Sequence, residues 1–189
     1  MRSKLVALLC SVVLMLPFAA NAALWNFSGG INADQERATH TVDVPAIFFG
    51  GGVLSGSLDD VTGSFVLNAY YAGTTGPTMG QHLHEGAPGV AGPIVIDLGS
   101  PVLVAPGIWS ANYSSTLSGS QMDSLFGGPS RNLGVGDAMN WYVNIHTAAN
   151  PDGEIRGQLL VASSPVPVPA SLWLLGSALV GTLGVRRRA

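Results

Sequence analysis

The chain has 189 residues, of which 47% are hydrophobic and only 10% are charged. Once the two unusual ends described below are set aside, the remaining length suits about one domain. That middle part carries three arginines and no lysine against eleven acidic residues, a net charge of about −8. A nucleic-acid partner requires basic side chains for its phosphates, so that class of function is excluded.

The N-terminal end is typical of a secretory signal peptide over residues 1–22. The short basic start Met1–Lys4 precedes an apolar run, and the run ends at the small-x-small sequence Ala20-Asn21-Ala22. Cleavage there places the mature start at Ala23 and sends the rest of the chain out of the cytoplasm. The alternative is an uncleaved N-terminal membrane anchor.

The C-terminal end has three successive parts. A Pro-rich spacer over 163–169 predicts an extended linker, because proline fixes φ and ends helices and strands. The uncharged stretch 170–185 would rise about 24 Å as a helix, slightly short of a ~30 Å hydrocarbon core. It predicts a transmembrane helix whose basic tail, 186–189, stays in the cytoplasm by the positive-inside rule. The alternative, a buried helix of the globular domain, leaves the terminal arginines unexplained.

The linker and the segments after it resemble the PEP-CTERM class of bacterial sorting signals. The matching motif is the Val-Pro-x-Pro-Ala variant, here Val166, Pro167, Pro169 and Ala170, followed by the apolar stretch and the arginines. It lacks the glutamate that stands between the prolines of the parent motif. The resemblance implies recognition by an exosortase-type membrane protease, removal of the tail, and display at the cell surface or in the extracellular matrix.

Residues 23–162 are predicted to form one all-β domain, because glycine, proline, asparagine, aspartate and serine interrupt short apolar segments throughout. The only cysteine, Cys10, lies in the signal peptide, so the exported domain has no disulfide. One short helix is predicted at Ser118–Phe126, with Ser118 as its N-cap. The pattern favours a single antiparallel Greek-key-like β-sandwich or barrel of about eight strands. The predicted strands are 25–32, 52–58, 64–71, 81–84, 94–98, 108–117, 138–146 and 154–161.

Three segments of this domain carry a second resemblance. Residues 81–93 hold His-x-His-Glu and several glycines, 142–147 hold Asn-Ile-His-Thr, and 150–159 hold Gly-Glu-Ile-Arg-Gly-Gln. Together with Phe27 and Gln35-Glu36 they resemble the CHRD domain, named from chordin, over residues 25–161. The resemblance implies an extracellular β module without an established catalytic activity. It therefore predicts a fold and a location rather than a reaction.

The histidines of these segments are candidate metal ligands. His82 and His84 are two residues apart, so on a strand both point to the same face, and His146 ends another predicted strand. Three imidazoles on comparable faces suit Zn or Cu. The candidates for a fourth ligand are Glu85, Asp97 and Asp152.

The alternative is that the same residues have only structural roles. The histidines would then form hydrogen bonds that tie loops to the sheet, and Arg156 would pair with Glu85 or Glu154. Glu154, Arg156 and Gln158 alternate onto one face of a strand, which also fits a solvated face. Asp59-Asp60 is interpreted as a turn rather than part of a calcium site.

Catalysis has the least support, because no cysteine nucleophile and no Gly-x-Ser-x-Gly sequence is present. The leading hypothesis is a non-enzymatic surface or matrix module that binds a polysaccharide or another surface protein. The second hypothesis is an exported Cu- or Zn-binding domain that uses His82, His84 and His146. Only the second requires a metal cofactor.

Overall fold

A computed structural model describes residues 24–38 and 50–163, which form nine strands and two short helices. All of them lie within the larger of two compact units, Ala22–Val166. The signal peptide, the transmembrane stretch and the sorting motif of the sequence predictions lie outside the described residues. Within the described part, no helix is long and apolar enough to cross a membrane.

In chain order the elements are β1 Leu24–Asn32, α1 Ala33–Arg37, β2 Gly51–Asp59, β3 Ser64–Ala72, β4 Thr78–Glu85, β5 Ile94–Asp97, β6 Val102–Ala105, β7 Ile108–Thr116, α2 Gly119–Phe126, β8 Ala138–Thr147 and β9 Ile155–Ser163.

The strands form one curled antiparallel sheet in the order β5-β4-β8-β9-β1-β2-β3-β7-β6. The prediction of an antiparallel β domain is confirmed. The described residues contain nine strands rather than eight, joined into one sheet instead of the two sheets of a sandwich. Because β5 and β6 each pair with one neighbour only, the hydrogen bonding between the described strands does not close into a barrel. Strand β9 ends at Ser163, one residue beyond the predicted end of the domain.

Contacts between aromatic rings show how the sheet curls. Strands β3 and β8 are separated by three strands in the sheet, yet the rings of Phe65 and Trp141 pack edge to face with centroids 6.1 Å apart. Phe27 of β1 also stacks on Phe65, with ring centroids 5.4 Å apart. The apolar face therefore wraps around its own side chains, which form one hydrophobic core. Trp141, Val143 and Ile145 point into this core, as their alternation predicts.

Helix α2 closes one end of the core. Ser118 accepts a hydrogen bond from the backbone N–H of Gln121, whose side chain accepts from the N–H of Ser118. This capping box confirms the predicted helix start, and Gly127 ends the helix in the left-handed conformation at φ +73°. The helix buries Leu125 and Phe126 against the sheet.

Two short elements are absent from the sequence predictions. Strand β6 has four consecutive apolar residues at the edge of the sheet, where no alternation marks a buried face. Helix α1 has only five residues and begins at Asn32, whose side chain accepts from the N–H of Gln35. Such a short helix offers too few apolar positions for a helical period to be visible in the sequence.

The turn interpretation of Asp59-Asp60 is confirmed. Asp59 accepts hydrogen bonds from the N–H groups of Val61 and Thr62, both 2.9 Å long, and these bonds lower the pKa of its carboxyl group. Asp60 accepts from the indole N–H of Trp25. Both carboxylates thus serve the β2–β3 turn and its packing.

Candidate metal centre

The three histidines meet across the β4–β8 pair. On β4, alternate residues share a face, so His82 and His84 project on the same side as Gly80. The register places Gly80 opposite His146 and His82 opposite Asn144, which brings the three rings together. One ring nitrogen from each histidine lies within 4.8 Å of one from each of the other two.

This spacing is close to that of a metal site. Three atoms no more than 4.8 Å apart have a common point within about 2.8 Å of each of them. Zinc–nitrogen bonds are about 2.0–2.1 Å long, so each nitrogen would have to move by no more than about 0.7 Å to reach bonding distance. The cluster sits on the face of the sheet opposite to the apolar core.

Backbone carbonyl groups orient two of the rings. The Nδ1 atoms of His84 and His146 lie 2.9 Å from the carbonyl oxygens of Gly92 and Pro151, respectively. A carbonyl oxygen only accepts, so Nδ1 carries the proton and Nε2 keeps its lone pair. In both rings Nε2 is buried without a hydrogen-bond partner, as is Nδ1 of His82. Histidine ligands of metals are held in this manner by a hydrogen bond from their second nitrogen.

Burial keeps the imidazoles of His84 and His146 neutral. It lowers the pKa of His146 to about 4, against the smaller opposing effects of the Pro151 carbonyl and of Asp152. The positive charges that His82 and His84 would carry lower it further. Burial also lowers the pKa of His84. Both rings are therefore unprotonated at neutral pH, the state in which imidazole binds metal.

We expect the metal-free protein to lose stability as the pH falls from 6.5 to 4. In this window the unfolded chain takes up a proton at His146, with a pKa near 6.5, while the native ring stays neutral until about pH 4. The loss attributable to His146 is on the order of 2 kcal/mol, after allowance for its partial exposure. Urea denaturation of chelator-treated protein at several pH values measures it. In the variant His146→Gln, the free energy of unfolding should depend less steeply on pH over this window. An equally steep pH dependence in the two proteins would contradict the attribution to His146.

The polar row formed by Glu154, just before β9, and by Arg156 and Gln158 of β9 is buried, not solvated as one interpretation of its alternation predicts. Glu154, Arg156 and Gln158 are 0%, 1% and 5% exposed. The pairing of Arg156 with Glu85 or Glu154 is also wrong. Glu154 instead accepts hydrogen bonds from three neighbours, and Glu85 accepts one from Asn140. The donors to Glu154 are Thr75, Thr147 and Asn150.

Arg156 holds the loop 86–93 over the histidine face of the sheet. Its guanidinium group lies 3.3 Å from the ring centroid of Tyr142 and donates to the carbonyl oxygens of Ala87 and Val90 at 2.8 and 2.9 Å. Gln158 donates to the carbonyl oxygen of Gly86 at 3.0 Å. These buried donors fix a loop that otherwise has few partners for its backbone carbonyls.

The loop in turn sets the position of His84. Gly92 accepts from Nδ1 of His84 through its carbonyl oxygen and donates its N–H to the hydroxyl of Tyr142. The rings of His84 and Tyr142 stack with centroids 5.2 Å apart. A Cβ at Gly92 would overlap the carbonyl oxygen of Glu85, so only glycine lets the loop approach this closely. Arg156 therefore acts on the site through the loop.

Glu36 of α1 lies near the site, although no sequence pattern marks it as a candidate ligand. Its carboxylate is fully buried. Burial lowers the pKa values of both His84 and Arg156, and the negative charge of Glu36 partly opposes that lowering. Gly153, at φ +134°, leaves room for it, because a Cβ there would lie 2.8 Å from Oε1 of Glu36 and 2.5 Å from Nδ2 of Asn144. Two features of the sequence could have indicated this helix and its acidic residue: Asn32 as an N-cap and the Gln35-Glu36 pair that follows it.

None of the predicted fourth ligands joins the three histidines among the described residues. Glu85 accepts a hydrogen bond from Asn140. Asp97 is exposed and accepts from the N–H of Gly99 at 2.8 Å. Asp152 contributes only its charge near His146. The cluster thus offers three nitrogen ligands and no carboxylate.

Fold and site together define an antiparallel β module with a cluster of three histidines on one face. The CHRD domain family model matches residues 29–159, and a PEP-CTERM protein-sorting motif matches 165–188. The chain belongs to the CHRD domain family, as the sequence motifs predict. No curated protein and no solved structure matches it significantly. The two family matches indicate an exported surface protein that undergoes membrane-associated processing.

Proposed function

We propose that this protein is a non-enzymatic surface module that binds one divalent transition-metal ion, Zn²⁺ or Cu²⁺, through His82, His84 and His146. The observation that carries the proposal is the set of three buried ring nitrogens without hydrogen-bond partners. Two of them belong to rings whose other nitrogen is already held by a backbone carbonyl. Neutral imidazole is a good ligand for both ions.

The structural alternative accounts less well for these nitrogens. A histidine that serves only to tie a loop to the sheet should use both of its polar atoms, since each buried polar atom without a partner costs about 1–3 kcal/mol. Here one nitrogen of each ring has no partner among the described residues. A bound metal ion would satisfy all three at once.

Calorimetric titration of the exported domain, purified without an affinity tag, tests the proposal. We expect one Zn²⁺ or Cu²⁺ per chain in the wild type, and no such binding when His82, His84 and His146 are all alanine. His40→Ala, which removes the remaining histidine of the chain, controls for the loss of an imidazole elsewhere. Absence of binding to the wild type, or unchanged binding in the triple variant, would contradict the proposal.

For the processing of the chain we propose the route that the sorting motif suggests. The signal peptide is removed near Ala23, the C-terminal helix holds the protein in the membrane, and an exosortase-type protease cleaves near 166–170. Protein released from the surface should then lack Trp173 and the terminal arginines by mass spectrometry. Intact tails in all of the mature protein would instead indicate a permanent anchor. A polysaccharide or surface-protein partner stays a prediction from the sequence.

A further inference from the structure

We propose that the outward side chains of β1, β2, β3 and β7 bind an extended, uncharged polysaccharide chain. These side chains, here called the serine face, point away from the apolar core. They lie on strands other than the β4–β8 pair that carries the three histidines. The inference therefore goes beyond the proposed function and does not depend on a bound metal ion.

The two halves of the outward side of the sheet differ in what covers them. Over β8 and β9 lies the loop 86–93, and α1 lies against β9, where the side chain of Gln35 accepts from the N–H of Gln158. The side chains of the serine face are exposed or half-buried instead, with the exception of Ser110. This half of the outward side is thus accessible to a partner.

The serine face carries almost no charge. Asp59, in the turn at the end of β2, is the only charged residue of the four strands. Protein surfaces normally have charged residues of both signs interspersed. Because the exported domain has a net charge of about −8, it repels an anionic polysaccharide. A cationic polysaccharide would find almost no carboxylates on this face, so the charge pattern favours an uncharged partner.

Polar side chains form a row across the four strands of this face. The register aligns them in the order Ser28, Ser55, Asn68 and Asn112. Neighbouring strands are about 4.8 Å apart, so the row offers a hydroxyl or amide group at that interval. This interval is close to the length of one sugar residue in an extended polysaccharide. Hydroxyl and amide groups also donate and accept hydrogen bonds, as the hydroxyl groups of a sugar require.

An apolar row lies beside the polar one. Two residues further along the strands, Val53 is opposite Tyr70, and Tyr70 is opposite Ser110. Ser110 in turn pairs with Val102 of the edge strand β6. Val53, Tyr70 and Val102 are 61%, 42% and 58% exposed, which is unusual for a row of apolar side chains. A sugar ring has an apolar C–H face that can stack on the ring of Tyr70 while its hydroxyl groups reach the polar row.

A protein partner, including a second copy of this chain, suits the composition of the serine face less well. The cores of protein–protein interfaces are enriched in aromatic residues, methionine and arginine, and they are depleted in serine. Among the outward side chains of the four strands, Tyr70 is the only aromatic one, and methionine and arginine are absent. Serine is the commonest residue there. The composition therefore favours a polysaccharide.

Cosedimentation with insoluble polysaccharides tests the proposal. The exported protein is mixed with amorphous cellulose, β-mannan or chitin, which are all extended and uncharged, in the presence of a chelator that keeps the metal site out of the measurement. We expect saturable retention on at least one of them and weaker retention on carboxymethyl cellulose, which is anionic. Saturable retention on none of the three would overturn the proposal, whatever the result of the metal titration.

A double variant tests the assignment to the serine face. Tyr70→Ala combined with Asn112→Ala removes the exposed ring and one amide of the polar row, and it should weaken retention by at least about tenfold. The matched control combines Asn132→Ala with Val135→Ala, at two exposed positions outside the strands, and should bind as the wild type does. Circular dichroism checks that both variants keep the fold. Equal retention of all three proteins would overturn the assignment.

Sedimentation velocity distinguishes a polysaccharide site from an interface between copies of the chain. We expect the wild type and the Tyr70→Ala/Asn112→Ala variant both to sediment as monomers. A wild-type dimer that this variant disrupts would overturn the proposal in favour of a second copy as the occupant of the face.

Discussion

Replacing His84 by alanine should weaken Zn²⁺ binding by more than about 100-fold. Loss of a residue that merely orients a ligand typically costs 10–100-fold in metal affinity, and His84 is proposed as a ligand itself. The His84 side chain is also buried, at 8% exposure. The carbonyl oxygen of Gly92 holds its ring in place through Nδ1. Competition with a chromophoric chelator measures affinities over this range.

The matched control for His84→Ala is Asp97→Asn. Asp97 lies on β5 opposite His82 and was predicted as a possible fourth ligand, but it is exposed and does not join the cluster. Its replacement should change the affinity by less than about threefold, as expected of a screened surface charge. A loss as large as that of His84→Ala would mean that the ligand set includes a carboxylate.

Replacing Arg156 by methionine should lower the free energy of unfolding by about 3–5 kcal/mol. Methionine fills much of the same volume but leaves the carbonyl oxygen of Val90 without its donor, and it leaves that of Ala87 with only the N–H of Val90. It also removes the cation from the ring of Tyr142 and from the field of the buried Glu36 carboxylate. Removal of one partner from a buried charged network typically has a cost of this size. Urea denaturation of the two metal-free proteins measures the difference.

Two further measurements separate this role of Arg156 from a general effect of losing an arginine. Arg37→Met removes a partly exposed arginine that pairs with Asp34 on the surface, so it should cost less than about 1 kcal/mol. In folded Arg156→Met, the affinity for Zn²⁺ should fall about 10–100-fold, because the loop no longer holds His84. A variant as stable as the wild type, with unchanged affinity, would show that Arg156 does not position the site.

The strands could be predicted because period-two alternation and turn residues are local features of the sequence. The start of α2 was predictable for the same reason, since Ser118 and Gln121 form its cap within four residues. The curl of the sheet could not be predicted, because it depends on contacts between strands far apart in the chain, such as the contact between Phe65 and Trp141. Short elements such as β6 and α1 carry too little pattern to be recognised.

The candidate site could be predicted only in part. The spacing of His82 and His84 places both on one face, but the meeting with His146 depends on the register between β4 and β8. The alternation on β9 correctly placed Arg156 on a polar face. It could not reveal burial, because the loop that covers the face is joined to Arg156 by bonds across 66 and 69 residues of sequence. A face that is buried by a loop from a distant part of the chain has no local sequence pattern that indicates its burial.

The most direct test of the metal-binding account is thermal melting of the wild type and His84→Ala with zinc, with copper and with a chelator. A ligand that binds only the native state at 100 times its Kd stabilises it by about 2.7 kcal/mol. For a domain of this size the melting temperature should rise by roughly 8 °C. We expect this rise for the wild type with zinc or copper and almost none for His84→Ala. Identical wild-type melting curves in zinc, copper and chelator would contradict the account and leave the histidines with structural roles only.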